Sequence, residues 1–442
     1  MFRPQGSLDA STNLQELPDE LFLHIFSYVP DAPQTCARLC LVNKRVNRIA
    51  TPLLYKSFSS GNEKSCIRFA ETIATRTALA RHVHVLHWLG VTDWEEDEAD
   101  ELLTKVLTHQ PNLRHVTWRN EKCFVDSDTD SDYWTNTEAD LETAKRRSVM
   151  PFREGWGELQ RFSSNNIFRN LQSADLAMRR LRLSEIIWLM RIPTLQKLWL
   201  DAVLRYDSED RILRSLSPQS SSVQDFKLRL SKRPKPSLCD IASIVVACRS
   251  LTNLSLSSQL SESTNKKENG TLQELKTAVE LHSPTLKTLE IAISGNDLNR
   301  SFLPKTERLE RFDIAPGHVP WPLIRTIRQL PRTIRAIHVS PGISQSMEVL
   351  LKWPTYDKES GNVERSDKVT VYLCEKDVLY QRVTFDHWQR IKRAYASQNV
   401  ALKLTHHTLR GGYPWGRAYY VYGPPRADEE DRLLWAKTEA QN

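Results

Sequence analysis

LQKLWL, residues 195–200, sets Leu195, Leu198 and Leu200 at the spacing apolar-x-x-apolar-x-apolar. Residues 198 and 200 would share one face of a strand and Trp199 the other, because side chains alternate along an extended chain. The same spacing returns as Ala80/Val83/Val85, Leu113/Val116/Trp118, Leu171/Ala174/Leu176 and Val223/Phe226/Leu228. It continues as Leu251/Leu254/Leu256, Leu286/Leu289/Ile291, Leu309/Phe312/Ile314 and Ile334/Ile337/Val339. First anchors fall at residues 80, 113, 171, 195, 223, 251, 286, 309 and 334, so successive units are 23–35 residues long, apart from one of 58. Helical patterns precede several of the strands. Ser237 leads into Leu238, Ile241, Ile244, Val245 and Cys248, and Thr271 with Glu274 forms a capping box ahead of Leu275, Ala278 and Val279. Trp321, Ile324, Ile327 and Leu330 make another stripe at helical spacing.

This array resembles the leucine-rich-repeat family, in an irregular form without the Asn of the strict motif. The resemblance implies an α/β solenoid over residues 59–345, with short parallel strands on a concave face and helices on the convex face. If the anchors point inward, the concave row holds His82 and His84, His115 and Thr117, Lys197 and Trp199, Asp225 and Lys227. Asn253 and Ser255, Thr288 and Glu290, Arg311 and Asp313, Ala336 and His338 follow. From this row we take His84, Lys197, Trp199, Asp225, Lys227, Glu290, Arg311 and Asp313 as candidate contacts to a protein substrate. Trp199 is the central hot-spot candidate, with a Trp lying flat on its neighbouring strands as the plain alternative. Both signs of charge are mixed along the row, which names no ligand class.

The first ordered segment is different. LPDELFLHIFSYVP, residues 17–30, reads as a helix, with Pro18 in its first turn and Asp19 and Glu20 complementing its dipole. Leu21, Ile25 and Val29 recur every four residues beside a second row, Phe22 and Phe26, and Pro30 and Pro33 close the run. A second helix, about 34–42, would carry Leu39 and Val42 inward. A third, 43–54, sets Val46, Ile49, Ala50 and Leu53 on one stripe, with Pro52 bending or ending it. Leu17-Pro18-x-Glu20-Leu21, Ile25, Arg38-Leu39-x-Leu41-Val42-Asn43-x-Arg45 and residues 47–55 resemble an F-box of the fungal type, over residues 14–58. Val46 stands where the family often has Trp. The resemblance implies docking on a Skp-type adaptor, for which Leu17, Pro18, Leu21, Ile25, Leu41, Val42 and Leu53 are the candidate side chains. Some of these must form the module's own core.

The remaining segments lack the repeat. Residues 1–13 read as a flexible tail, about 120–166 as an acidic and Ser-rich insertion, 346–425 as a C-terminal cap and 426–442 as a charged tail. The insertion holds DSDTDSD (residues 126–132), where Ser127 and Thr129 precede acids in a kinase-like pattern. In the cap, 369–373 and 401–404 read as strands around an amphipathic helix near Trp388, Ile391 and Tyr395.

Composition narrows the functional classes. Of 442 residues, 61 are Lys or Arg and 54 Asp or Glu, a net charge of +7 that is small beside the total. The 14 Gly residues are few for a nucleotide-binding fold, and no phosphate loop, nucleophile elbow or His-Glu-x-x-His occurs. Seven Cys without a Cys-x-x-Cys pair read as reduced thiols of an intracellular protein, cytoplasmic or nuclear. No stretch approaches the ~20 apolar residues of a membrane span. His82, His84 and His87 lack the acids or thiols of a metal site, so we expect neither metal nor cofactor. Basic tracts at 227–235, at 145–147 and around 388–395 raise nucleic acid as a rival partner, to be judged by whether they converge with exposed aromatics. The expected function, implied by the two resemblances, is a non-enzymatic substrate adaptor of an SCF-type cullin–RING ubiquitin ligase. The chain would be monomeric apart from that complex, its solenoid holding a substrate at a fixed distance from the conjugating enzyme. The alternative is a free-standing repeat scaffold without a ubiquitin role.

Overall fold

The computed structural model describes residues 17–28, 32–60, 62–89, 107, 110–119, 168–205, 216–230, 238–258, 268–293, 306–314, 333–339, 368–374, 378–379, 383–397, 399–410, 419–425 and 428–439. The chain divides into two units, one of residues 1–89, 93–116 and 150–170 and the other of 90–92, 117–149 and 171–442.

The first unit opens with α1 (Asp19–Ser27), α2 (Ala32–Leu39) and α3 (Lys44–Leu54). Pro18 occupies the N-cap of α1, its carbonyl accepting from the amides of Leu21 and Phe22. Pro33, expected to close α1, instead lies in the first turn of α2, where a missing N–H costs nothing. Asn43 caps α3, its side-chain oxygen accepting from the Val46 amide at 2.8 Å. Phe22, Phe26, Val46 and Ile49 form the core of the three helices, with Leu17, Leu39 and Leu53 packed against it. Val42, expected to point inward, is 64% exposed. The reason is local: α2 stops at Leu39, and residues 40–42 form a turn leading to α3. From α3 the chain enters β1 (Ser57–Ser60), α4 (Glu63–Thr75), α5 (Thr77–Ala80) and β2 (Val85–Leu89), with β1 parallel to β2, and the unit holds the first two residues of β3 (His115–Arg119).

The second unit is dominated by a parallel sheet. β4 (Ser173–Arg182), β5 (Lys197–Arg205), β6 (Asp225–Leu230), β7 (Asn253–Ser258), β8 (Thr288–Ile293), β9 (Arg311–Ile314), β10 (Ala336–Val339), β11 (Val369–Cys374) and β12 (Val400–Arg410) pair in chain order, each parallel to the next. β13 (Tyr419–Pro425) closes the sheet antiparallel to β12. Ala174, Leu198, Phe226, Leu254, Leu289, Phe312, Ile337, Val371 and Leu402 fall in one register across the nine strands, and all are buried. Each such Leu or Phe contributes roughly 1.5–3 kcal/mol. The parallel pairing therefore runs two strands past residue 345, where the repeat pattern was expected to stop. Val369/Val371/Leu373 and Val400/Leu402/Leu404 supply the same buried alternation without the preceding anchor spacing.

Strands β5 to β10 are each entered through a shared carbonyl. Gln172 O accepts from the amides of Gln196 and Lys197, Gln196 O from Gln224 and Asp225, and Gln224 O from Thr252 and Asn253. Thr252, Lys287 and Glu310 do the same for the next three strands. Side chains reinforce the steps: Thr194, Thr285 and Thr333 donate through Oγ1 to the carbonyls of Leu171, Leu251 and Leu309. In the first unit Lys56 O accepts from His84 and Val85, and His84 O from Arg114 and His115. His84 thus holds the entry position of Gln196. The anchor triplet here is Val83/Leu86/Trp88, all buried, three residues beyond the expected Ala80/Val83/Val85.

Helices α6 (Leu183–Met190), α7 (Leu238–Ala247) and α8 (Glu268–Glu280) lie between strands. α8 begins three residues before the expected cap at Thr271. His282, buried, follows α8: its Nε2–H donates to Val245 O at 2.9 Å and its Nδ1 accepts from the Leu251 amide at 3.4 Å. Near the end, α9 (Phe385–Ala396) buries Trp388, Ile391 and Tyr395. Residues 428–439, expected as part of a charged tail, form α10 (Asp428–Glu439), docked on α9. Trp435 stacks on Trp388 at 5.9 Å, and Asp431 accepts from Trp388 Nε1 at 3.2 Å and Lys392 Nζ at 3.1 Å. The tail 1–13, the insertion 120–166 with Ser127 and Thr129, and the stripe from Trp321 to Leu330 lie outside the described residues.

Candidate functional site

The parallel sheet turns one set of side chains away from its core. Asp175, Trp199, Lys227, Ser255 and Glu290 share one register across β4–β8, and Ser173, Lys197, Asp225, Asn253, Thr288 and Arg311 share the next. Lys197, Trp199, Asp225 and Lys227 come together there. Trp199 Nε1 donates to Asp225 Oδ1 at 2.9 Å, Lys197 Nζ sits 3.4 Å from the Trp199 ring centroid, and Lys227 Nζ lies 5.7 Å away. Trp199 is half-buried, so it is held by its neighbours rather than standing free. One residue pair further along, Asp201 faces Arg229 at 3.7 Å, a contact the sequence reading missed although Asp201 follows Leu200 at strand spacing. Glu290 lies three strands from Trp199, roughly 14 Å at ordinary strand separation, and accepts from Ser255 Oγ at 2.6 Å. Arg311 and Asp313 are on β9, with nothing described of the Asp313 side chain. His84 does not join the row, because it occupies the entry turn of β2. Burial, then Arg114 and Lys56, push its imidazole below the usual range.

Two other expectations about chemistry can be placed. Among the described residues no group of three His, Cys, Asp or Glu could hold a metal. The basic tract around 388–395 lies in α9, whose Trp388 and Tyr395 are fully buried, so neither ring is open to a stacked base. Residues 145–147 and 231–235 lie outside the described residues.

The three N-terminal helices present a different surface. Leu21 and Ile25 of α1 are 48% and 47% exposed, Leu41 is 86% exposed, and Leu23, Tyr28 and Val42 are exposed with them. Pro18 is exposed as well, whereas Leu17 and Leu53 are half-buried against the core. On α1 the two apolar rows thus separate: Phe22 and Phe26 face α3, while Leu21, Ile25 and Tyr28, at i, i+4 and i+7, turn outward. Asp19 joins α1 to α3 through Arg45 at 2.9 Å and Arg48 at 2.6 Å, and Arg45 holds its carboxyl below the usual carboxylate range.

Residues 14–60 match the F-box-like family. The N-terminal helices are an F-box-like domain. Over 43 residues the chain is 54% identical to the F-box protein DAS1 of Saccharomyces cerevisiae, a segment that spans 10% of this chain and 6% of that protein. F-box domains generally serve substrate adaptors of SCF ubiquitin ligases and typically bind Skp-type partners. The domain is followed here by the parallel sheet. Among the described residues no helix is long and apolar enough to cross a membrane. Of the seven side chains expected to serve docking, the F-box-like domain exposes Pro18, Leu21, Ile25, Leu41 and Val42 and turns Leu17 and Leu53 toward its core. Leu23 and Tyr28, outside that set, are exposed as well, Tyr28 at helical spacing from Leu21.

Proposed function

We propose that this protein is a non-catalytic substrate adaptor of an SCF-type cullin–RING ubiquitin ligase. The exposed apolar residues of the F-box-like domain dock a Skp-type adaptor, and a leucine-rich-repeat solenoid built on the parallel sheet binds a protein substrate. The carrying observation is that Leu21, Ile25, Leu41 and Val42 remain in solvent while Phe22, Phe26, Val46 and Ile49 already fill the core of the domain. Exposed apolar patches mark interaction sites, and Leu21, Ile25 and Tyr28 lie along one side of α1. Substrate recognition centres on Lys197, Trp199, Asp225 and Lys227, with Glu290, Arg311 and Asp313 further along the sheet. The contribution to ubiquitin transfer is proximity, raising the effective concentration of target lysines. Co-expression of the full chain with a Skp-type adaptor, followed by size-exclusion chromatography, tests this. A stoichiometric complex that is lost on Leu21→Ala with Ile25→Ala supports docking; a folded chain that ignores the adaptor removes the ligase reading.

A further inference from the structure

Apolarity alone sets the rotation of α1 only loosely. Leu21, Phe22, Leu23, Ile25 and Phe26 cover more than half of its circumference, with Glu20, His24 and Ser27 on the remainder, so turning it by one residue, ~100°, would exchange a buried Phe row for a Leu and Ile row of similar hydrophobicity. A nine-residue helix is also too short to hold itself together in water. One side chain of α3 removes the ambiguity. Arg45 Nε donates to Asp19 Oδ1 at 2.9 Å, another Arg45 N–H donates to the Leu17 carbonyl, and its guanidinium lies 5.4 Å from the Phe22 ring centroid. Arg48 donates to the second Asp19 oxygen at 2.6 Å. Contacts at residues 17, 19 and 22 fix both the rotation and the axial position of α1, and a planar guanidinium makes them in one geometry.

We propose that Arg45, gripping Asp19 and the Leu17 carbonyl, is the positioning residue of the docking face: it sets the rotation of α1 that presents Leu21, Ile25 and Tyr28 on one side. This rests on the docking reading above, and Arg45 acts through α1 rather than by touching the adaptor. The test uses the full chain and a purified Skp-type adaptor, with affinity and amide hydrogen exchange of α1 read for Arg45→Met, Arg45→Lys and Asp19→Asn. Arg45→Met should weaken binding and speed α1 exchange, each by roughly tenfold or more, with α4 exchange unchanged. Arg45→Lys, which keeps the charge but not the fork, should fall between. Combined with Leu21→Ala, Ile25→Ala and Tyr28→Ala, Arg45→Met should cost no further affinity, since its effect passes through those side chains. A further tenfold loss in that background would mean direct contact and overturn the positioning role; so would unchanged α1 exchange. If the unaltered chain fails to bind the adaptor, the docking reading falls, and α1 exchange alone then decides the clamp.

Discussion

The F-box-like domain and the strand face solve opposite problems. The three helices have more apolar side chains than their small core can cover, so Leu21, Ile25, Leu41 and Val42 stay in water until something else covers them. The strand face has its groups matched internally: Trp199 with Asp225, Arg229 with Asp201, Ser255 with Glu290. Uncovered apolar area drives association by itself, whereas a matched polar face gives up contacts for each one it gains. The first surface therefore favours being covered, whatever covers it. A partner of the second must be found by experiment.

The sharpest test of that contrast is in the core behind the exposed apolar residues. Phe22→Ala should cost about 3–5 kcal/mol and melt the three helices in thermal unfolding, while protection of the parallel strands in hydrogen exchange persists. Next in size, Leu21→Ala with Ile25→Ala should weaken adaptor binding by roughly 100-fold in calorimetric titration and leave the melting profile unchanged. Loss of fold there would mean the two side chains belong to the core after all.

A smaller effect concerns His282. Burial holds its imidazole below the ordinary 6.5, and in the unfolded chain it takes up a proton near that value. The unfolded state binds more protons in the window below, so stability should be full above about pH 6.5 and fall as the pH drops. Urea midpoints at pH 7.5 and 5.5 in the parent and in His282→Gln measure this; an equal acid loss in both would remove His282 as the cause. The smallest change is Trp199→Phe, which keeps a ring but drops the bond to Asp225, for about 1 kcal/mol in urea unfolding. A partner that binds at Trp199 should also lose affinity in this variant. An indifferent partner would move the site elsewhere.

Much of the arrangement was legible because it rests on alternation. Buried Leu198 and Leu200, Phe226 and Leu228, Leu254 and Leu256 follow from period two, and the order of the strands from the sequence of anchors. The reading slipped by three residues at β2, an odd shift that exchanges the two faces of a strand. In RHVHVLHW (residues 81–88) a Val precedes or follows nearly every His, and only the amides donating to the Lys56 carbonyl fix which Val opens the strand. On α1 two apolar rows lie side by side, and sequence could not assign one to the core, because that choice is made by Arg45 and Asp19 from 26 residues apart. Trp435 and Asp431 were read as part of a charged tail since their burial depends on α9, which a local reading of DEEDRLLWAKTE does not contain.

The shared carbonyls have an evolutionary consequence. Each strand from β5 to β10 is located by two amides at its entrance and by one backbone oxygen just ahead of the strand before it, so the outgoing chain can be lengthened without shifting the register of its neighbours. First anchors 23 and 35 residues apart occur among these strands. Insertions and deletions are thereby confined to the connections, and the row that includes Lys197 and Trp199 can be inherited intact while the segments between strands diverge freely.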